Sequence, residues 1–532
     1  GGFATSASAH YGIGLAEEGV RFRLGGGSDG SGEVMLGWRP RGWDEGTFIM
    51  GEIDGGEGVG QDRGWRQLRL TGGIERQVGD VTASGFLIAY DARNNVPIAA
   101  REDDLQSGRV WYLGGDDQWS GRHVSRRFLL GGRVSRPWKW GGVQVTGWLG
   151  STGFRLRDNQ SGYLDSTALG DGYELRQSTF EIGLRGRVSR SFDWLEDQTL
   201  LDAGLDLQAQ FHRQRTEDVD AEGDFLATDS ERRVENNVVA AWARARVGLF
   251  RIAQITAAAR VEQTELGVRD LEPGQSPRAV EQVGGSALSV APKLTMSAEP
   301  AGGLRLHASF SRGVRPPDAR TVTRNAPLFG TRFDTVEGGV RMRPGRALAL
   351  GVEGFGTWSP SERIRDQLDA RLLAVGATTR AGVVGSATVW PIRRVRVETE
   401  FSWTDARLRE DRSPLPYVAR WSAGVGVHAD ELPIGPVRLS GGVRTWWVGR
   451  RLLPGGFAAR AAAGVDLNAR IYFRRVYFDV AVDNLVPFQW RYAEYIYPSR
   501  WDRTTRASPL PVRHVVPFEP SAIRVAFGTR FR

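Results

Sequence analysis

Apolar and polar residues alternate with a period of two along almost the whole of this chain, in segments longer than ordinary soluble strands. In residues 201–212, Leu201, Ala203, Leu205, Leu207, Ala209 and Phe211 fall on one face, and Asp202, Gly204, Asp206, Gln208, Gln210 and His212 on the other. Residues 395–404 set Val395, Val397, Thr399, Phe401 and Trp403 against Arg396, Glu398, Glu400, Ser402 and Thr404. Residues 304–311 set Leu304, Leu306, Ala308 and Phe310 against Arg305, His307, Ser309 and Ser311. Successive side chains of a strand point to opposite faces, so each segment has one apolar and one charged face. Soluble strands usually have about 5–6 residues, whereas a tilted strand needs about 9–11 to cross a bilayer. Many of these segments exceed that length.

The connections alternate between short and long. Short turns fall at 78–80, 137–140, 249–251, 300–303, 344–346 and 391–393. Long ones fall between them at 41–62, 94–122, 158–172, 216–230, 270–280, 316–331 and 490–520. Short periplasmic turns opposite long extracellular loops are the pattern of an outer-membrane barrel, and a soluble sandwich has no reason to keep that order. The reading is therefore all-β: a transmembrane antiparallel barrel of about 22 strands occupying residues 1–532. The first three strands are placed at 2–13, 19–26 and 33–40. An even count puts both termini in the periplasm.

Composition agrees. No stretch offers the roughly 20 apolar residues of a spanning helix, and 10% aromatic content is more than a solvated chain carries. The net charge is +8, with Lys139 and Lys293 the only lysines and arginine supplying the rest of the basic residues. Those arginines are dispersed among acidic residues. That argues against nucleic acid, which wants a basic face or stripe; arginines can meet anionic lipopolysaccharide and outer-membrane lipid or an anionic ligand, and charge alone does not choose among them. Trp138, Trp140, Trp358, Trp446, Trp447, Trp490, Tyr492, Tyr495 and Tyr497 gather near strand ends. Interfacial girdles place aromatics there, as does the ordinary β-propensity of aromatic residues.

Three stretches resemble the TonB-dependent outer-membrane receptors. Residues 308–318 (ASFSRGVRPPD) are similar to that family's strand-to-loop segment, residues 479–500 (DVAVDNLVPFQWRYAEYIYPSR) to the stretch before its last strand, and residues 523–531 (IRVAFGTRF) to its C-terminal strand. Residues 61–69 (QDRGWRQLR) look like an early barrel strand of the family. The resemblance implies a Gram-negative outer-membrane location. It also implies Phe527, Gly528 and Phe531 as a signal for the barrel-assembly machinery, a plug in the lumen, and energy from the TonB complex through that plug. Substrates of such receptors include ferric siderophores, corrinoids, oligosaccharides and peptides. Members carry an N-terminal plug domain and a TonB box. Here Gly1 already reads as barrel strand, so the plug is expected from upstream residues of a precursor, from a second chain, or from inward-folding loops. The chain ends on Arg532, one residue past the customary aromatic.

No catalytic constellation is present. Gly26-Gly27-Ser28-Asp29-Gly30 matches GxSxG as a string, but no helix pattern follows, as a nucleophile elbow requires. The six histidines are scattered, there is no cysteine, and no metal site or cofactor is expected. The acidic pairs Asp103-Asp104 and Asp116-Asp117 read as solvated loop. Loop 94–122 and residues 490–500 mix aromatics with Arg and Asp, which suits ligand capture, and Trp111, Tyr112, Trp119, Arg315, Trp490, Tyr492, Tyr495 and Arg500 are the candidate ligand-facing residues. Asp206, His307, Glu398 and Glu400 are the candidate lumen-facing residues. The expected function is non-catalytic import by a receptor. A passive pore and a structural barrel anchoring a surface assembly are the alternatives.

Overall fold

The computed structural model of the chain describes residues 14–97, 99–111, 113, 121–194, 197–270, 282–315, 331–365, 372–485, 491–504, 510–517 and 520–531. Twenty-two strands hydrogen-bond into one antiparallel sheet. The sheet closes where Gly19–Gly27 pairs with Ala522–Phe531, Val20 opposite Phe531 and Gly27 opposite Arg524. Closure removes the free edges, the only way a sheet can satisfy its backbone polar groups within lipid. No helix among the described residues is long and apolar enough to cross a membrane.

Two-residue turns join strands at 79–80, 139–140, 393–394, 435–436 and 474–475. Four of them carry a positive φ, at Gly79 (58°), Arg394 (78°), Gly435 (57°) and Arg474 (53°). These turns share one end of the barrel with the start of Gly19–Gly27 and the end of Ala522–Phe531. The long connections occupy the other end.

The strand count matches the sequence reading, but its membership differs. Residues 2–13 lie outside the described residues. Phe48–Gly56 is a barrel strand, pairing with Gly32–Arg39 and Trp65–Val78, where one long loop over 41–62 was expected. That span is instead split between a turn at the short-turn end and a connection at the other. Loop 216–230 shrinks to 220–224, because Asp197–Val219 and Phe225–Leu249 run on past the bilayer. Strands of 23 residues rise about 75 Å along their own axis, several times the apolar band they must cross.

Burial is inverted relative to a soluble domain. Leu201, Leu205, Leu207 and Phe211 are all exposed, while Asp202 and Asp206 between them are buried. From Leu201 to Phe211 is ten steps of about 3.3 Å, or about 25 Å once a tilt near 40° is allowed, the height of a barrel's apolar belt. Aromatics mark both limits. Trp138, Trp140, Trp194 and Phe250 are exposed at the short-turn end. Phe128, Phe180 and Phe211 stand in one row at the other limit, joined through Ser151. The opposite face of the wall is polar. On it, aromatic rings lie over glycines directly across the strand pair, as with Trp242 and Gly204 or Tyr477 and Gly528.

Candidate functional site: the charged wall and the capped mouth

The polar face is organised by carboxylates shared between arginines. Asp206 takes Arg185 at 2.7 Å and also Arg260, which reaches Glu262 at 2.8 Å. Asp202 bridges Arg187 at 2.6 Å and Arg244. Each acid accepts from strands on both sides, so the network runs across the sheet where side chains of alternate parity meet. His307 sits 3.3 Å from Glu353, and Glu398 is 2.8 Å from Arg396 and 3.6 Å from His428. Glu400 takes Arg444 at 3.0 Å. Asp206, His307, Glu398 and Glu400 therefore share the face opposite the apolar band, and each has an oppositely charged or titratable partner.

At the long-loop end, connections from distant parts of the ring build a folded cap. Ala100–Arg101, Arg491–Tyr497 and Val512–Pro517 form a three-stranded sheet, with Tyr495 opposite His514 and His514 opposite Arg101. The first strand comes from the connection after Val81–Val96, the other two from the connection before Ala522–Phe531. The helix Glu102–Ser107 follows directly. Two carboxylates tie the cap together. Glu102 takes Arg491 at 2.5 Å and Arg513 at 3.3 Å. Buried Glu494 takes Arg513 at 2.7 Å and the backbone N–H of Arg460 at 3.0 Å.

His514 is wholly buried in this cap. Its Nδ1–H donates to the Val512 carbonyl at 3.1 Å, so its Nε2 accepts from the Ser499 hydroxyl at 2.7 Å. Its ring stacks on Tyr497, centroids 3.6 Å apart, and the Tyr497 hydroxyl donates to Gln160 at 2.9 Å. Burial, with Arg101 nearby, pushes the His514 pKa down to about 3, so the imidazole is neutral. Burial likewise raises the Tyr497 hydroxyl well above its ordinary value. The Arg503 guanidinium lies 4.1 Å above the Tyr163 ring and donates to its hydroxyl at 2.7 Å, while Trp501 packs on Val219. Loop 159–171 and loop 484–521 are thereby braced against each other.

Of the sequence-selected residues, Trp111 and Tyr492 are exposed on the cap, 64% and 66% respectively. Tyr495 is half-buried against Tyr417, ring centroids 5.9 Å apart. Arg500 donates to the carbonyls of Asp502 at 3.2 Å and Arg503 at 2.6 Å. Arg315 ends the strand Leu304–Arg315 opposite Thr331; its side chain lies outside the described residues, as do Tyr112, Trp119 and Trp490. Phe527 and Phe531 are exposed on the apolar face, with Gly528 beneath Tyr477 on the other. The residues that assemble the cap, among them Glu102, Glu494, Gln160 and His514, were not singled out from the sequence. The mix of aromatics and charge in 94–122 and 490–500 pointed to the segments that hold Glu102 and Glu494, and nothing pointed to Gln160 or His514.

No curated protein matches the chain in sequence. Solved structures match its fold at low identity. The ferric yersiniabactin uptake receptor FyuA from Yersinia pestis is 13% identical, with a TM-score of 0.77, over 97% of this chain and 81% of its own. The ferric-catecholate import receptor Fiu from E. coli K12, in its closed form, is 12% identical, with a TM-score of 0.76, over 97% of this chain and 82% of its own. The ferric citrate transporter FecA, unliganded, is 13% identical, with a TM-score of 0.77, over 96% of this chain and 78% of its own. The barrel they share is characteristic of Gram-negative outer membranes. The family model for the TonB dependent receptor-like β-barrel matches residues 63–485, and its members are transport receptors rather than enzymes. The chain belongs to the TonB-dependent receptor-like β-barrel family.

Proposed function

We propose that this barrel is the conduit of an outer-membrane receptor that captures a scarce nutrient at its capped mouth and imports it. The cap carries this reading. Loops from distant strands are cross-braced through Tyr497–Gln160, Arg503–Tyr163 and Glu102–Arg491. A passive pore gains nothing from such bracing over its mouth. A receptor needs loops rigid enough to present contacts, and Trp111 and Tyr492 are exposed there for that use. A ferric siderophore leads corrinoids, oligosaccharides and peptides as substrate, supported by the ferric ligands named for the three structural relatives.

In this reading Asp206, His307, Glu398 and Glu400 line the lumen. A barrel of about 22 strands is too wide for its own side chains to fill and such barrels are plugged. The family implies a plug and an interaction with TonB, and a plug supplied by the precursor or by a separate chain completes the transporter. Phe527, Gly528 and Phe531 serve as the assembly signal. The test is uptake of a radiolabelled ferric siderophore by cells producing the full precursor, with and without TonB. TonB-dependent uptake is expected; uptake that continues without TonB overturns the reading. In planar bilayers the isolated chain is expected to give large, weakly selective conductances, and a small selective conductance would favour the passive pore.

A further inference from the structure

On the polar face of the wall, near the short-turn end, lies a hollow of about 440 Å³ bordered by Arg305, Arg341, Ser386 and Thr388. Register sets Arg305, Arg341, Gly351, Ser386 and Glu400 in one row across the sheet. The hollow exists because Ala349 and Gly351 put little or no side chain on its floor. A β-carbon at Gly351 would stand 2.9 Å from the Ser386 hydroxyl and 3.9 Å from the Cγ of Arg341. The glycine therefore leaves these two groups a common space.

The charges around it are not balanced. Elsewhere on this face a shared acid joins the arginines, as Asp206 joins Arg185 and Arg260. Arg305 and Arg341 instead oppose each other directly on neighbouring strands, an arrangement that costs stability. Glu299 stands 3.9 Å from Arg305, at the limit of an ion pair, and the two side chains are 67% and 54% exposed. The exposed Arg341 guanidinium has no ion pair among the described residues. Two adjacent cations are thus kept open beside two hydroxyls.

Guanidinium forks match carboxylate and phosphate oxygens in geometry and charge. Ser386 lies two strand spacings from Arg341, about 10 Å. One oxyanion group does not span that width, and a solute carrying two or more does. We infer that this hollow binds a small polyanion, one carboxylate or phosphate on Arg305 and Arg341 and another accepting from the hydroxyls of Ser386 and Thr388. The inference rests on the reading of the barrel as a conduit, in which the hollow is a resting site for an anionic nutrient near the periplasmic end of its path.

The test is isothermal titration calorimetry of the full chain refolded in detergent, with citrate as the carboxylate probe and, separately, pyrophosphate as the phosphate probe. At least one of the two is expected to bind, and the one that binds tighter assigns the chemistry of the solute. Arg341→Gln and Gly351→Leu are each expected to lose at least tenfold in affinity for it. Arg341→Gln removes one of two opposed charges without breaking an ion pair, so it should unfold at no lower urea concentration than the parent. Gly351→Leu fills the hollow without removing a charge, and it decides the matter alone if the arginine variant does not refold. Arg438→Gln, which takes away an arginine paired with Glu431 outside the hollow, should bind as the parent does. Binding of neither anion, unchanged affinity in both hollow variants, or an equal loss in Arg438→Gln overturns the inference. Because binding is measured without transport, a chain that binds the anion yet shows no TonB-dependent uptake overturns the transport reading alone.

Discussion

The indole of Trp148 occupies the space that a β-carbon would need at Gly183, its register partner on the next strand. Phe86 stands in the same relation to Gly131, and Trp446 to Gly464. Each glycine lets a ring lie down on the wall instead of standing into the lumen. Gly183→Val is therefore expected to cost about 1–3 kcal/mol through overpacking. Gly186→Ala, at a position with nothing within 4 Å of a new β-carbon, should stay within about 0.5 kcal/mol of the parent. Urea unfolding in lipid vesicles, followed by gel mobility, measures both.

The apolar band sets a depth-dependent penalty for charge. Leu205, 59% exposed, lies midway between Leu201 and Phe211. Leu205→Arg should destabilise the barrel by about 2–4 kcal/mol, the range for a cation at the midplane on the lipid face. Gln208→Arg, on the polar face, should cost far less. Equal losses in the same vesicle assay would contradict the assignment of faces.

Removing a bridging acid strands its arginines. Asp206→Asn deprives Arg185 and Arg260 of their shared carboxylate. The expected loss is about 1.5–3 kcal/mol, the scale of a hydrogen bond to a charged group. Glu400→Gln breaks a pair whose side chains are 60% and 63% exposed, and should cost less than about 1 kcal/mol. Comparing the two variants' unfolding midpoints tests whether the shared acids stiffen the wall.

His514 makes the cap sensitive to acid. Its folded pKa, about 3, lies below the ordinary histidine value of 6.5. The opened cap thus takes up a proton that the closed cap refuses. Closure is at full strength above pH 6.5 and weakens steadily as pH falls toward 3. With about 1.4 kcal/mol per pH unit, the loss at pH 5 is about 2 kcal/mol. Hydrogen exchange of 491–497 and 512–517 at pH 7.5 and pH 5, corrected for intrinsic rates, should show faster opening at the lower pH. His514→Phe should abolish that difference, and a difference that survives the substitution would assign it to another group.

Orientation can be read on intact cells, since the chain has no cysteine. A thiol-reactive, membrane-impermeant label should reach Ser107→Cys, exposed on the cap helix, and not Gly345→Cys in the turn at the opposite end. Labelling of the second but not the first would invert the barrel.

The sequence by itself determined the wall. Residues 201–212 alternate without a break, so the pleat alone assigns each side chain its face, whereas the expected count of 22 included residues 2–13, which lie outside the described residues, in place of Phe48–Gly56. Phe48–Gly56 escaped because Gly51 and Gly55 interrupt one alternating set, leaving only Ile49 and Ile53 as strong apolar signals. What only the tertiary structure decided is the cap and the sharing of charge. Glu102 and Arg491 are 389 residues apart in the chain and meet because ring closure brings their loops over one mouth. Asp206 was legible as polar, but its two arginines depend on cross-strand register. Periodicity fixes a side chain's face; which neighbour it meets on that face is set by how the strands align and where the ring closes.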